Sequence, residues 1–365
     1  MRRARDRFGA HVQGRLAMTL PYRRALITGV SGQDGALLAA QLLSVGVVVI
    51  GTHRPRSNFW RLGELGIAKD PSLSLRALDL SDATACRALV AECAPEAVFH
   101  FAGQSSVAAS FADPVGSIEA NGVATVRLLE AVRAECRDAH FVLASSAEIF
   151  GDSAEMPQSE ATPLAAISPY GLSKLLAHEA VASWRAAFGL RASSAVLFNH
   201  ESEWRDPSFV TRKLSLAAAR IALGREESIT LGNLDARRDF GYAPDHVAAM
   251  AAMAARQEGA DFVLATGVAS SIRDYACAAF AAAGITLDWF GDGLDEVGVE
   301  RGSDRVRIRI DPALFRPSDA ALRVGDASRA RKELGFAPSL DVAGIAKRMV
   351  EADLARERRA TDAEH

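Results

Sequence analysis

From Arg24 onward, short and nearly continuous apolar runs recur along the chain: ALIT, VVVIGTH, LSLRALDL, AVFHFAG, HFVLASS and RASSAVLFN, the last ending at Asn199. Longer Ala- and Leu-rich stretches of helical period separate them. This alternation predicts parallel strands joined by crossover helices. The runs show little polar alternation, as expected of strands covered on both faces. The fold class read from the pattern is α/β, a Rossmann-type doubly wound parallel sheet.

Beyond Asn199 the pattern loosens into loops rich in Arg, Asp, Gly and Pro, with helices predicted over 210–223, 243–255 and 272–283 and one more buried strand over 261–266. Such interleaving predicts a smaller, discontinuous C-terminal lobe at the carboxyl ends of the strands, where open α/β sheets bind ligands. Residues 23–199 with about 240–266 are assigned to the sheet domain, 200–239 and 267–350 to the lobe, and 351–365 to a solvated charged tail. Residues 1–22 carry Arg2, Arg3, Arg5, Arg7 and Arg15 but no Ser enrichment. They read as a disordered tail rather than a transit peptide, with Met18 as an alternative start.

Composition removes several function classes. The 365 residues are 49 % hydrophobic and 24 % charged, with 42 basic against 45 acidic side chains and a formal charge of −3. That balance offers no electrostatic footprint for nucleic acid. No apolar stretch approaches the ~18 residues of a membrane-spanning helix. The four cysteines, Cys86, Cys93, Cys136 and Cys277, form no Cys-x-x-Cys pair and have no His at zinc-finger spacing. No metal site is expected, and a reducing compartment, the cytoplasm, is.

The first strand runs into Gly29-Val30-Ser31-Gly32-Gln33-Asp34-Gly35 and then the helical pattern ALLAAQLLSVG. Glycines at this spacing allow a tight turn and close approach of backbone to a pyrophosphate, with the helix N-terminus supplying N–H donors. A dinucleotide site is expected. The second strand ends in Arg54-Pro55-Arg56-Ser57 rather than in an acidic residue. An acid there would repel a 2′-phosphate and a guanidinium would pair with it, so NADP is favoured over NAD. Asp79-Leu80 and Phe101-Ala102-Gly103, at two further strand ends, are placed to flank adenine and ribose.

Tyr170 and Lys174 lie one helical turn apart on one face. A cationic Lys beside a phenol favours the phenolate, which can take a proton from an alcohol as hydride leaves its carbon. Upstream, the strand end Ser145-Ser146-Ala147-Glu148 presents a hydroxyl for the same oxygen. Alone, Glu148 reads as a loop carboxylate and His200 as a packed core histidine.

Together these features resemble the extended short-chain dehydrogenase/reductase superfamily. LFNHES at 197–202, FVTRK at 209–213, LGNLDARRDFG at 231–241, DEVG at 295–298 and FRPSD at 315–319 resemble the signature segments of the GDP-mannose 4,6-dehydratase family, in order along the chain. The resemblance implies oxidation of a hexose at C4, loss of water across C5 and C6, and return of the same hydride to C6 through a retained NADP. It implies Tyr170 as base at the 4-hydroxyl, Lys174 as its tuner and nicotinamide-ribose contact, Ser146 at the family's Thr, and Glu148 as the acid/base at C5 and the 6-hydroxyl. Gln104, Ser105, His200 and Arg205 join the cofactor contacts. Ser105, Asn199 and Val210 fall to the substrate, Lys213, Arg238 and Arg316 to its diphosphate and Asp319 to its ribose. A homotetramer or homodimer is implied, with the Tyr170 helix at the dimer contact.

Several positions depart from the family pattern: Ser106 for His, Gly116 for an aromatic residue, Ser146 for Thr, Ala147 for Ser, Phe150 for Tyr and Trp204 for Arg. Two other readings stay open, a nucleotide-sugar 4-epimerase or 4-reductase needing no C5 base, and a non-catalytic nucleotide-sugar or NADP sensor.

Overall fold

The computed structural model describes residues 20–314 and 322–364. The six apolar runs form six strands, β1 (Arg24–Thr28), β2 (Val48–His53), β3 (Leu73–Ala77), β4 (Ala97–His100), β5 (His140–Ala144) and β6 (Ala192–Leu197). With Phe262–Leu264 they make one sheet in the order Phe262–Leu264, β6, β5, β4, β1, β2, β3, and every pairing is parallel. The chain works outward from β1 on one side through β2 and β3, then returns to lay β4 on the other. The strand order therefore reverses between β1 and β4, which is where such sheets bind ligands.

Burial explains the continuous apolar runs. Every residue of β4, β5 and β6 is buried, as required when helices cover both faces. One such layer joins Leu26, Val98 and Phe141 of the strands to Leu128 and Val132 of the helix Ala124–Glu135, and to Ala177 and Val181 of the helix Pro169–Phe188.

The chain divides into two compact units. The first runs through Phe198 and adds Ala243–Leu264 and Asp326–Ala337; the second comprises Asn199–Tyr242, Ala265–Gly325 and Pro338–His365. Asp326–Ala337, grouped by its position in the chain with the lobe, thus belongs to the sheet unit. The Asp326 N–H donates to the Gln158 carbonyl at 2.8 Å, and Phe336 meets His246 edge-on.

The second unit holds its own core around Leu214, Phe240, Tyr275, Phe280, Ile308 and Met349. Its strand Arg237–Tyr242 pairs with Asn199–Glu201, Ala269–Ser271 and Leu322–Arg323. Residues 351–364, read as part of a charged tail, instead continue the helix Val342–Glu364. Their charge is partly internal: Asp353 is fully buried, paired with Arg212 at 2.7 Å and Arg356 at 3.1 Å. A charge pattern alone does not distinguish a solvated end from a helix whose ionic face is covered. Among the described residues no helix is long and apolar enough to cross a membrane.

Candidate active site

The glycine turn is shaped by close backbone contacts. Gly29 has φ +73°, and a Cβ there would lie 2.9 Å from the Ala102 nitrogen. A Cβ on Gly35 would lie 2.4 Å from the Gly29 carbonyl oxygen. The N–H groups of Gly29 and Val30 both donate to the Thr52 carbonyl at 3.0 Å, fastening the turn to β2. Gly32 caps the helix Gln33–Ser44 without a side-chain cap. A bare helix N-terminus behind a turn with no side chains is the donor set a pyrophosphate needs, and these residues fit a dinucleotide.

The ends of β1 and β4 are joined by a buried relay. The Ala102 N–H donates to Thr28 Oγ1 at 3.2 Å, and Thr28 Oγ1 and His100 Nδ1 share a hydrogen bond of 2.7 Å. Burial pushes the His100 pKa down to about 3, with Lys174 adding repulsion, so the imidazole is neutral. The relay places Phe101, Ala102 and Gly103 beside the glycine turn. Asp79 follows β3, the edge strand paired with β2, its carboxyl held below the usual range by the Ser81 N–H at 2.9 Å. Arg54 and Arg56 are exposed in the turn after β2, and Arg56 has φ +67°.

The four catalytic candidates sit in the first unit, on two adjoining pieces of chain. After β5, Ser146 starts a short turn of helix, Ala147–Phe150, and its Oγ accepts the Glu148 N–H at 3.2 Å. Both side chains are half-buried. The helix carrying Tyr170 and Lys174 begins at Pro169, a residue suited to a first turn, and Ser168 Oγ caps it by accepting from the Gly171 N–H at 3.0 Å. Gly171 lets the two pieces approach, since a Cβ there would lie 2.8 Å from the Glu148 carbonyl. The Tyr170 N–H donates to Ser110 Oγ at 3.1 Å, and Lys174 Nζ donates to the Ala144 carbonyl at 2.9 Å. Burial pushes the Lys174 pKa down to about 8, opposed by the charge of Asp34. The lysine is thus a cation at neutral pH and is directed to the last residue of β5.

One positioning residue is absent from the sequence reading. Asn121 lies in a π-helical turn, Glu119–Val123, and is 2 % exposed. Its Oδ1 accepts from the Gln104 N–H at 2.9 Å, and its Nδ2 donates to the Gln104 carbonyl at 3.1 Å and to Ser173 Oγ at 2.8 Å. Ser173 in turn donates to the Tyr170 carbonyl at 2.7 Å. One amide therefore ties the loop after β4 to the helix of Tyr170 and Lys174. Its neighbours one turn away, Ser117 and Thr125, are polar too, so no break in an apolar face marked it in the sequence.

The family described as GDP-mannose 4,6 dehydratase matches residues 26–349, nearly the whole of both units. The chain belongs to the GDP-mannose 4,6-dehydratase family. It is 40 % identical over 337 residues to a GDP-mannose 4,6-dehydratase of Sinorhizobium fredii, covering 90 % of this chain and 96 % of that one. It is 38 % identical over 347 residues to a Homo sapiens GDP-mannose 4,6 dehydratase, covering 92 % of this chain and 93 % of that one. The solved structure of RMD from Pseudomonas aeruginosa, complexed with NADPH, shares the fold with a TM-score of 0.73 and 24 % identity, covering 92 % of this chain and 99 % of that one.

The remaining candidates in this dehydratase-family chain belong to the second unit. Asn199 and His200 begin a strand, with His200 buried. Arg205 pairs with the buried Glu201 at 3.1 Å and lies 3.7 Å over the Phe209 ring. Val210 opens the helix Val210–Ala222, Lys213 is exposed on it, and Arg238 is half-buried on the strand Arg237–Tyr242. Between Val210 and Lys213, Thr211 donates to Glu201 Oε2 at 2.6 Å and Arg212 to the Glu203 carbonyl at 2.7 Å. Arg316 and Asp319 lie outside the described residues. Two departures from the family pattern have local reasons. Trp204 is 4 % exposed, an apolar ring in a buried place. A side chain on Gly116 would displace the Asp113 carboxylate, which caps the helix Pro114–Ile118 by accepting the Gly116 N–H at 2.9 Å.

Proposed function

We propose that the chain converts GDP-mannose to GDP-4-keto-6-deoxymannose with NADP, as a hydro-lyase. The observation that carries the reading is Glu148, two residues from Ser146 and backed against the helix of Tyr170 and Lys174. Epimerases and reductases of the same fold need the hydroxyl, phenol and lysine but no carboxylate at C5.

Gly29, Ser31, Gly32, Gln33, Asp34, Gly35 and Arg54, with Asp79, Leu80 and Phe101–Ser105, are the residues that would hold NADP; when bound, it supplies the hydride acceptor at C4 and the donor at C6. Tyr170 takes the proton of the 4-hydroxyl, with Ser146 bonded to the same oxygen and Lys174 favouring the phenolate. The 4-ketone acidifies C5–H, and Glu148 removes that proton. Glu148 then delivers a proton to the 6-hydroxyl, which leaves as water, and C5 takes up the solvent-exchangeable proton held by Tyr170 as hydride returns to C6. Asn199 and Val210 are assigned to the sugar nucleotide, Lys213, Arg238 and Arg316 to its diphosphate, where permanent cations replace lost hydration, and Asp319 to its ribose.

Leu172 and Leu176 on the Tyr170 helix are 50 % and 40 % exposed, with Phe111 at 54 % and Val115 at 68 % on helices packed against it. An exposed apolar face of this kind supports a homo-oligomer. Four free cysteines suit a reducing cytoplasm. The test is incubation with GDP-mannose and NADP in D₂O, followed by NMR and mass spectrometry. Loss of water with deuterium at C5 supports the reading, and an unchanged sugar in the presence of bound NADP refutes it.

A further inference from the structure

The helix that carries Tyr170 and Lys174 also carries His178, one further turn along the same face. Its side chain is buried, and its Nδ1 shares a hydrogen bond of 3.3 Å with Oγ of Ser145, the buried residue that follows β5. The chain leaves the sheet at Ser145. Its N–H still donates to the Ala195 carbonyl of β6 at 2.9 Å, and the next residue, Ser146, already caps the turn Ala147–Phe150. Successive turns of the helix thus hold successive residues, Lys174 the Ala144 carbonyl at 2.9 Å and His178 the Ser145 hydroxyl.

Tyr170 and Ser146 are assigned to one substrate oxygen and Glu148 to the neighbouring carbon, yet they stand on separate pieces of chain. Their mutual placement depends on what fastens the turn after β5 to the helix. Misplacing reacting groups by about 1 Å can cost on the order of a hundredfold in rate, so such groups need support from side chains outside the reaction. We infer that His178 is a positioning residue of the dehydration, holding Ser146 and Glu148 in register with Tyr170 through the Ser145 hydroxyl, a role that rests on the dehydratase reading above and extends it beyond the expected catalytic set.

The local chemistry suits a brace. Burial holds the His178 imidazole below its usual range, with Asp261 and Glu179 opposing and Arg185 adding to the shift. His178 is therefore neutral at pH 7, and its bond to a neutral hydroxyl fixes geometry without adding a second cation one turn from Lys174. Breaking the bond would leave a polar group unpaired in a dry place, so the pair resists separation. The far part of the helix has its own anchor. Arg185 donates to the Asp261 carboxylate from Nη1 at 3.0 Å and from Nη2 at 2.6 Å, and from Nη1 to the Ala192 carbonyl at 2.8 Å. Removing the His178 bond thus leaves the helix seated on the sheet and loosens the turn that carries Ser146 and Glu148.

The experiment measures steady-state turnover of GDP-mannose, and calorimetric binding of NADP and of GDP, for the full chain as wild type, His178→Leu, His178→Asn, Ser145→Ala and the double variant His178→Leu with Ser145→Ala. His178→Leu and Ser145→Ala are each expected to lower kcat roughly ten- to hundredfold, with KM and both affinities changed less than about threefold. The double variant is expected to be no worse than the poorer single one, because the two changes break one link. His178→Asn offers a polar atom close to the place of Nδ1 and is expected to recover most of the loss. Should His178→Leu not fold, Ser145→Ala, which removes a single oxygen, carries the comparison. Unchanged kcat in Ser145→Ala, losses that multiply in the double variant, affinities that fall as far as kcat, or a kcat in His178→Asn no better than in His178→Leu would each overturn the role. A wild type that binds NADP and leaves GDP-mannose unchanged would instead overturn the dehydratase reading, and this role with it.

Discussion

Glu148 separates the proposed reaction from its neighbours in chemistry, and its replacement tests that at a single atom pair. Glu148→Gln keeps the shape and removes the base, so elimination of water is expected to slow by roughly a hundredfold or more. Binding of GDP-mannose, measured by calorimetry, should be retained. Retained turnover would point to a reaction without C5 proton abstraction. Lys174 makes a different prediction. Its folded pKa of about 8 lies below the unfolded value of 10.5 because burial disfavours the cation. The folded state therefore binds fewer protons between those values, and stability rises with pH across about 8 to 10.5. Below pH 8 the full cost is present, roughly 3 kcal/mol. Urea denaturation at pH 7.5 and 10 should show that rise in the wild type and a smaller one in Lys174→Met. Both residues stood out in the sequence by type and spacing. The Ala144 carbonyl that receives Lys174 did not, because a backbone acceptor carries no residue signature.

The strands and helices followed the apolar pattern closely, since burial on two faces leaves a strong trace in residue type. The helix predicted over 210–223 forms as Val210–Ala222, and that over 272–283 as Ile272–Ala282. The charged C-terminal stretch was misread, because Asp353 and Arg212 are paired inside the second unit rather than in water. The π-turn at Asn121 left no periodic trace at all. Its role is testable through the element it joins. Asn121→Ala leaves the Gln104 N–H and carbonyl without their partner in a buried setting, a loss of about 2 to 3 kcal/mol in denaturant unfolding. Because the same amide positions the loop after β4 against the helix of Tyr170, NADP affinity should fall as well. A change confined to stability would reduce Asn121 to a packing residue.

The apolar face of the Tyr170 helix makes the prediction for the proposed assembly. Leu172→Glu with Leu176→Glu is expected to dissociate the proposed homo-oligomer in sedimentation experiments, because burying two carboxylates at an interface is strongly unfavourable. An unchanged sedimentation profile would place the contact elsewhere. The linear chain dictated the α/β alternation, the glycine turn and the identities of the chemical groups, because these depend on periodicity and short spacing that neighbouring residues impose on one another. Tertiary structure alone decided the reversal of strand order between β1 and β4, the membership of Asp326–Ala337 in the sheet unit, and the convergence of Asn121, Gln104 and Ser173. It also carried His178 to the Ser145 hydroxyl. Those contacts join residues distant along the chain, and they exist only because packing of the two faces of one sheet brings the ends of its strands together.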